Sequence, residues 1–480
     1  MKKKMLFAMA TIVAFILFVP SVMATEVTTD LAAAVSAAND GDTLTLTEDV
    51  EVTSVITIDK ELTLDLAGFD VLFKNNSYLL VEGGNLTVTG EGTMAEETPY
   101  YAPIVVKGST VETATDYSVV NVGEGVTLEG WSGLFIKQSS SNTAYGVDVT
   151  IDGTIVAKTD GSSTGIGVYI NGNIQHTTNA PVITLGSTAD ITSDGPGIYA
   201  AGYAVWNING ATISGVEAGL GIKSGEFNIT DAIVTATGED KTPTAGYGNG
   251  INPSGAAIQI ESNKGYAGNI ELNIEGGTFT SEKGIAIYEY LDDKSSNPAT
   301  ETAVSSIVLS GGEFTSAEGK PVMALSEEFV DEHTETEFIE GGVYKSGDEE
   351  TLVGTLDGGY VPADEAIVLT LYEVTDGKVG ESVELLLTKG VMMDKDAFEK
   401  TLVDSLKVEN KYIYGATYAD KDLKTKFDFT KALDADSVMY ISVTTNPKTG
   451  DINLAALIGT ILVGIAGVAI VLRKRFAKCN

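Results

Sequence analysis

Short stretches of alternating apolar and polar residues, each closed by Gly, Asp or Asn, recur along most of the chain. Thr43-Leu44-Thr45-Leu46, Val55-Ile56-Thr57-Ile58, Leu62-Thr63-Leu64-Asp65-Leu66, Tyr78-Leu79-Leu80-Val81 and Leu86-Thr87-Val88 share this form. A period of two, rich in β-formers and bounded by turn residues, predicts strands with one buried face. Leu44, Leu64 and Leu86 lie 20 and 22 residues apart, a step that suggests one coil of a solenoid. One helical pattern precedes them, with Leu31, Ala34, Val35 and Ala38 on one face. Asp30 is placed to cap it and Asn39-Asp40-Gly41 to end it.

The same grammar continues downstream. Val149-Thr150-Ile151-Asp152-Gly153-Thr154-Ile155 is echoed by Asn207-Ile208-Asn209-Gly210-Ala211-Thr212-Ile213 and by Asn273-Ile274-Glu275-Gly276-Gly277-Thr278-Phe279. Shorter echoes follow at Leu309-Ser310-Gly311-Gly312-Glu313-Phe314 and Ile339-Glu340-Gly341-Gly342-Val343-Tyr344. A second phrase opens at Gly133, Gly165, Gly197, Gly219 and Gly284, each followed by apolar residues one and three positions on. A parallel β-helix accounts for both phrases, because a coil that cannot bury its apolar face alone completes its core on its neighbours. The stretch from Asp30 to about Val361 resembles the pectate-lyase-like right-handed β-helices of bacterial surface proteins. Asn39-Asp40-Gly41-Asp42-Thr43-Leu44 and Leu62-Thr63-Leu64-Asp65-Leu66-Ala67-Gly68 carry that likeness. It implies a mainly β fold over 25–361, with the short helix as an N-terminal cap, and no particular activity; a β-sandwich array is the alternative.

The pattern changes near Pro362. Ile367 to Val374 alternates as a strand, Val383 to Leu387 is a candidate for another, and Asp394 caps a helix with Phe398, Leu402 and Leu406 on one face. Tyr412-Ile413-Tyr414-Gly415-Ala416-Thr417-Tyr418-Ala419-Asp420 then leads to Lys426-Phe427-Asp428-Phe429 and Ala435-Asp436-Ser437-Val438-Met439-Tyr440. This segment, 362–445, resembles the internalin B-repeat, a small β-grasp-like α+β module. The helix is an addition to that pattern, and a generic α+β spacer is the alternative.

The two ends carry addresses. Lys2-Lys3-Lys4, the apolar run from Met5 to Val19 and Val22-Met23-Ala24 are the parts of a secretory signal peptide over 1–24. At the other end, Asn446-Pro447-Lys448-Thr449-Gly450 precedes an uncharged run from Leu454 to Leu472 and the basic cluster Arg473-Lys474-Arg475. A run of that length can span a bilayer as a helix, with the basic cluster holding its end in the cytoplasm. Motif, span and tail together, over 446–480, resemble the wall-sorting signal of Gram-positive surface proteins, with Asn446 in place of the usual leucine. The resemblance implies a sortase as partner, cleavage after Thr449 and covalent attachment to peptidoglycan; Thr449 is then a substrate position. An ordinary single-pass membrane anchor is the alternative localisation.

Charge and composition narrow the chemistry. The chain holds 67 acidic against 30 basic residues, a net charge of -37. Such a surface repels phosphate backbones, which argues against a nucleic-acid partner. Both arginines, Arg473 and Arg475, and the single cysteine, Cys479, lie beyond the sorting motif. Removing that tail removes thiolate chemistry and the arginine base that many lyases of this fold use.

No catalytic, cofactor or metal-ligating set emerges. Asp292 with Asp293, and Asp148 with Asp152, are the most conspicuous carboxylate pairs, and neither sits in a recognisable glycosidase motif. His176 and His333 read as solvated loop residues. One constellation is sharper: two and four positions after the repeated glycines stand Phe135, Tyr169, Tyr199 and Tyr288. If the coils stack in register, these rings share an outer face and form an exposed platform for a glycan or protein ligand. The sequence thus describes a wall-anchored adhesin or binding stalk, with a polysaccharide-acting enzyme or a plain spacer as alternatives.

Overall fold

A computed structural model describes residues 24–27, 29–115, 117–243, 250, 252–263, 266–292, 306–326, 329, 342–353, 360–362, 366–375, 377–388, 393, 395–396, 398–399, 412–445 and 472–473. Three long sheets form the main body. Sheet A has 11 strands, from Ala24–Val27 and Asp42–Leu46 to Ser306–Leu309. Sheet B has 13, from Val50–Val52 to Tyr360–Pro362, and sheet C has 10, from Ile56–Ile58 to Met323–Ala324. The chain visits A, B and C in turn and then moves up one strand in each, so the ten strands of sheet C mark ten stacked coils. Pairing is parallel throughout the coils, and only the last two strands of sheet B, Glu349–Val353 and Tyr360–Pro362, run antiparallel. The fold is a parallel β-helix.

Alternation dictates the interior. In sheet A, Leu44, Leu64, Val88, Val122, Ile151, Leu185, Ile208, Ile229, Ile274 and Leu309 follow one another in register. All are buried, so each coil hands its apolar face to the next. Leu86, expected in this row, pairs instead with Leu62, and Val88 takes its place. Aromatic rings also stack within the core. Trp206 stacks on Phe227 at 5.6 Å, and Phe279, Phe314 and Tyr344 form a second stack at 5.0 and 5.3 Å.

Glycine marks where sheets B and C close together. A Cβ on Gly133 would lie 2.3 Å from Ile155 Cγ2, and one on Gly167 would lie 2.1 Å from the Gly197 oxygen. The repeating position is therefore Gly133, Gly167, Gly197 and Gly219, continued by Ala257 and Ala286. Gly165 and Gly284 stand two residues early in the expected phrase. In consequence Ile166, read as inward, belongs to a cluster on the outer face with Tyr199 and Tyr266.

The helix Leu31–Ala37 buries Leu31 and Val35 in the same core as the first coils. Asp30 accepts a hydrogen bond from the Ala33 N–H at 2.8 Å, which satisfies one free donor of the first turn. At the other end Lys60 donates to the Val35 and Ala38 carbonyls.

Beyond Pro362 a separate sheet has the order Tyr412–Tyr418, Ser437–Thr445, Ala366–Thr375, Lys378–Thr388, Leu472–Arg473. Its central pair, Ala366–Thr375 with Ser437–Thr445, is parallel, and its other pairs are antiparallel. Residues 395–396 and 398–399 are helical, and Phe398 is buried beside Phe429. Leu402 and Leu406 lie outside the described residues, as do residues 1–23, the sorting motif 446–450 and the apolar run 454–471. Among the described residues no helix is long and apolar enough to cross a membrane. Leu472, expected at the end of a membrane helix, is instead strand, opposite Leu385.

Candidate functional site

Sheet C is the face around which the chain spends its extra residues. Turns from sheet A to sheet B span one residue, Asp231, to five, 66–70. By contrast, segments 97–103 and 158–165 lead into sheet C, and 108–117, 138–146 and 171–181 lead out of it. Function concentrates on such segments when a rigid scaffold presents them.

The predicted aromatic positions do share one outward row of this sheet. Val105, Phe135, Tyr169 and Tyr199 are in register, followed by Gly221, Gln259 and Tyr288. Phe135 stacks on Tyr169 at 4.6 Å and 3°, and Tyr169 on Tyr199 at 5.5 Å and 15°. Tyr288 stands three strands beyond Tyr199 and meets Tyr290 edge-on.

The expected exposure fails, because neighbouring segments fold over the row. Phe135 and Tyr199 are only 5% and 4% exposed. Tyr101 lies edge-on to Phe135 at 5.3 Å, and Trp131 edge-on to Tyr169 at 6.0 Å. Segment 97–103 is held there by Glu96, whose carboxylate accepts from the Tyr100, Tyr101 and Trp131 N–H groups. Burial nevertheless pushes the Glu96 pKa upward against those bonds. Burial also pushes the phenols of Tyr101 and Tyr169 up to about 12, so both stay protonated donors.

The row runs into a buried polar cluster. Lys223 Nζ lies 2.8 Å from Glu261 Oε2, with the two side chains 2% and 1% exposed. Glu261 and Tyr290 are in register, and the Tyr290 hydroxyl donates to the same Oε2 at 2.6 Å. The rings of Tyr199 and Tyr266 flank the ammonium at 5.8 and 5.3 Å. Burial, then the Glu261 charge, raises the Tyr290 and Tyr266 pKa values well above the usual phenol range. Nearby, Glu289 accepts from Ser262 Oγ and the Ser326 N–H, while Gln259 donates to the Asn252 carbonyl and accepts from Ser254. Satisfied charges this deep tie the coils to one another.

The other candidate residues are scattered. Asp292 is buried in the same region, and Asp293 lies outside the described residues. Asp148 and Asp152 are half-buried near sheet A, with burial raising the Asp148 pKa. His333 lies outside the described residues. His176, expected to be solvated, is 9% exposed, because the loops after sheet C stack on one another. Its Nε2 accepts from the Ala144 N–H at 2.9 Å, its Nδ1 meets the Thr178 carbonyl at 3.0 Å, and its ring packs on Tyr145. Among the described residues no group of three or more His, Cys, Asp or Glu side chains is placed to hold a metal ion.

What remains accessible is the margin of the face. Tyr100 is 57% exposed on the segment entering strand Ile104–Lys107, and Val111 and Tyr117 are 55% and 44% exposed on the segment leaving it. Tyr78, Tyr101, Trp131 and Tyr288 are half-buried between them and along the row, and Lys137 lies over the Tyr101 ring at 5.5 Å. Sequence reasoning missed Tyr100 and Tyr117 because nothing local ties a loop tyrosine to a particular strand. Lys223 and Glu261 were invisible for a similar reason, as only coil register brings them together. No protein-family model, curated protein or solved structure matches the chain.

Proposed function

We propose that the chain is an exported surface protein of the Gram-positive type, fixed to peptidoglycan by a sortase at Thr449, whose β-helix is a binding stalk. The observation that carries the binding reading is the gathering of long segments, with exposed Tyr100, Val111 and Tyr117, at the two margins of sheet C. These groups flank one strand, and aromatic rings with a polar edge suit a glycan or a protein partner. A right-handed coil is the default for parallel crossovers. Strand order in the C-terminal sheet, with its central parallel pair, supports a β-grasp-like spacer, and the helix Leu31–Ala37 suits a cap over the first coil. Residues 454–471 are read as the transient membrane span of the sorting signal.

Two measurements test this reading. Muramidase should release the protein from cells with Thr449 as its C-terminal residue; release by detergent with the tail intact would refute sorting. On a glycan array or host-cell surface, Tyr100→Ala with Tyr117→Ala should weaken binding at least tenfold while the thermal melting profile stays unchanged. Equal binding by the double variant would remove the sheet C margin from consideration, and absence of binding by the wild type would leave a spacer as the reading.

A further inference from the structure

The outer face of sheet A carries a row of a different kind. Thr43, Thr63, Thr87, Asn121, Thr150, Thr184, Asn207, Asn228 and Asn273 occupy one register position on nine consecutive strands. Every one is half-buried and outward-facing, and all but Thr43, which follows the buried Asp42, stand between inward apolar neighbours. At about 4.8 Å per strand the row is straight and roughly 38 Å long. One residue in five of this chain is charged, yet none of these nine is. The adjoining row, in contrast, holds the carboxylates Glu61, Asp148, Glu226 and Glu271.

The chemistry of the row is uniform. A threonine hydroxyl and an asparagine amide each offer both a donor and an acceptor. Bonds between neighbours, such as Asn121 Nδ2 to Thr87 Oγ1 and Asn273 Nδ2 to Asn228 Oδ1, both at 3.3 Å, use only part of that capacity. The matching ligand is neutral, because the row has no charge to pair and carboxylates border it. It is extended and periodic, because the row repeats in one dimension. It carries a group that both donates and accepts at each repeat. A peptide meets this poorly, since an added strand pairs at a sheet edge and not on a face. An extended β-linked hexose chain meets it well, advancing per sugar by a distance close to the strand spacing.

We infer that sheet A is a second interaction surface, which takes a neutral, extended polysaccharide laid along the solenoid axis. It is independent of the sheet C margin. The test is co-sedimentation of the full protein with microcrystalline cellulose and with chitin. Wild type should pellet with at least one of them. Thr184→Glu with Asn207→Glu, in the middle of the row, should reduce the bound fraction at least tenfold, whereas Thr184→Ser with Asn207→Thr should retain it. Tyr100→Ala with Tyr117→Ala should pellet as wild type does, which separates this surface from the other. Failure of wild type to pellet with either fibre, or equal pelleting of the charged variant with an unchanged melting profile, would overturn the inference.

Discussion

His176 shows how much a single buried ring can commit. Because Nε2 accepts from Ala144, Nδ1 must carry the proton and donate to the Thr178 carbonyl, so the ring is neutral in one tautomer. Protonating Nε2 would set two N–H groups against each other. Burial lowers its pKa below 6.5, partly opposed by the Thr178 bond and the Glu112 charge. With the folded pKa depressed, the unfolded chain binds the proton more tightly. The contribution of this ring is therefore complete above about pH 6.5 and is lost as pH falls through the lower folded value. Melting temperature should drop between about pH 7 and pH 5, with a smaller drop in His176→Asn. The comparison between the two proteins isolates the ring from the many carboxylates, and parallel profiles would exclude this role. Nothing in the polar sequence around His176 announced any of this, because of these partners Thr178 alone is local, and Ala144 and Tyr145 come from the loop of a neighbouring coil.

At the level of strands and coils, what could be read in advance was whatever depends on alternation. Inward Leu44 and Leu64 and outward Phe135 and Tyr169 follow from a period of two, which survives even a two-residue error in the glycine phrase. Cover over an outer row has no such signal, so the burial of Phe135 and Tyr199 by Tyr101, Trp131 and Tyr266 was out of reach. The Lys223–Glu261 pair is the clearest case, since it ties one sheet C strand to the next. Removing one partner leaves a charge buried without compensation, at a cost of about 3–5 kcal/mol. Glu261→Leu or Lys223→Met alone should therefore lower the urea midpoint sharply, and the double substitution should recover most of the loss. If both single variants unfold at the wild-type midpoint, the pair does not couple the coils.

At the largest scale, the β-helix is a stack in which each coil touches mainly its neighbours, so its surface is organised as stripes running along one axis. One stripe is neutral and hydrogen-bonding, one is aromatic and roofed over, and carboxylates lie between. Such an object has a start, and the strand Ala24–Val27 is part of it: Ala24 pairs with Thr43, Thr25 with Leu44, and Val27 is buried. The bond between Ala24 and Thr25, where the proposed leader ends, therefore lies inside a ladder. A leader peptidase cutting there would need that bond as extended backbone, whose groups the first coil occupies once it has folded. If the leader is cut there, maturation and folding would compete for the same few residues, and a chain that closed its first coil too early would trap its own leader.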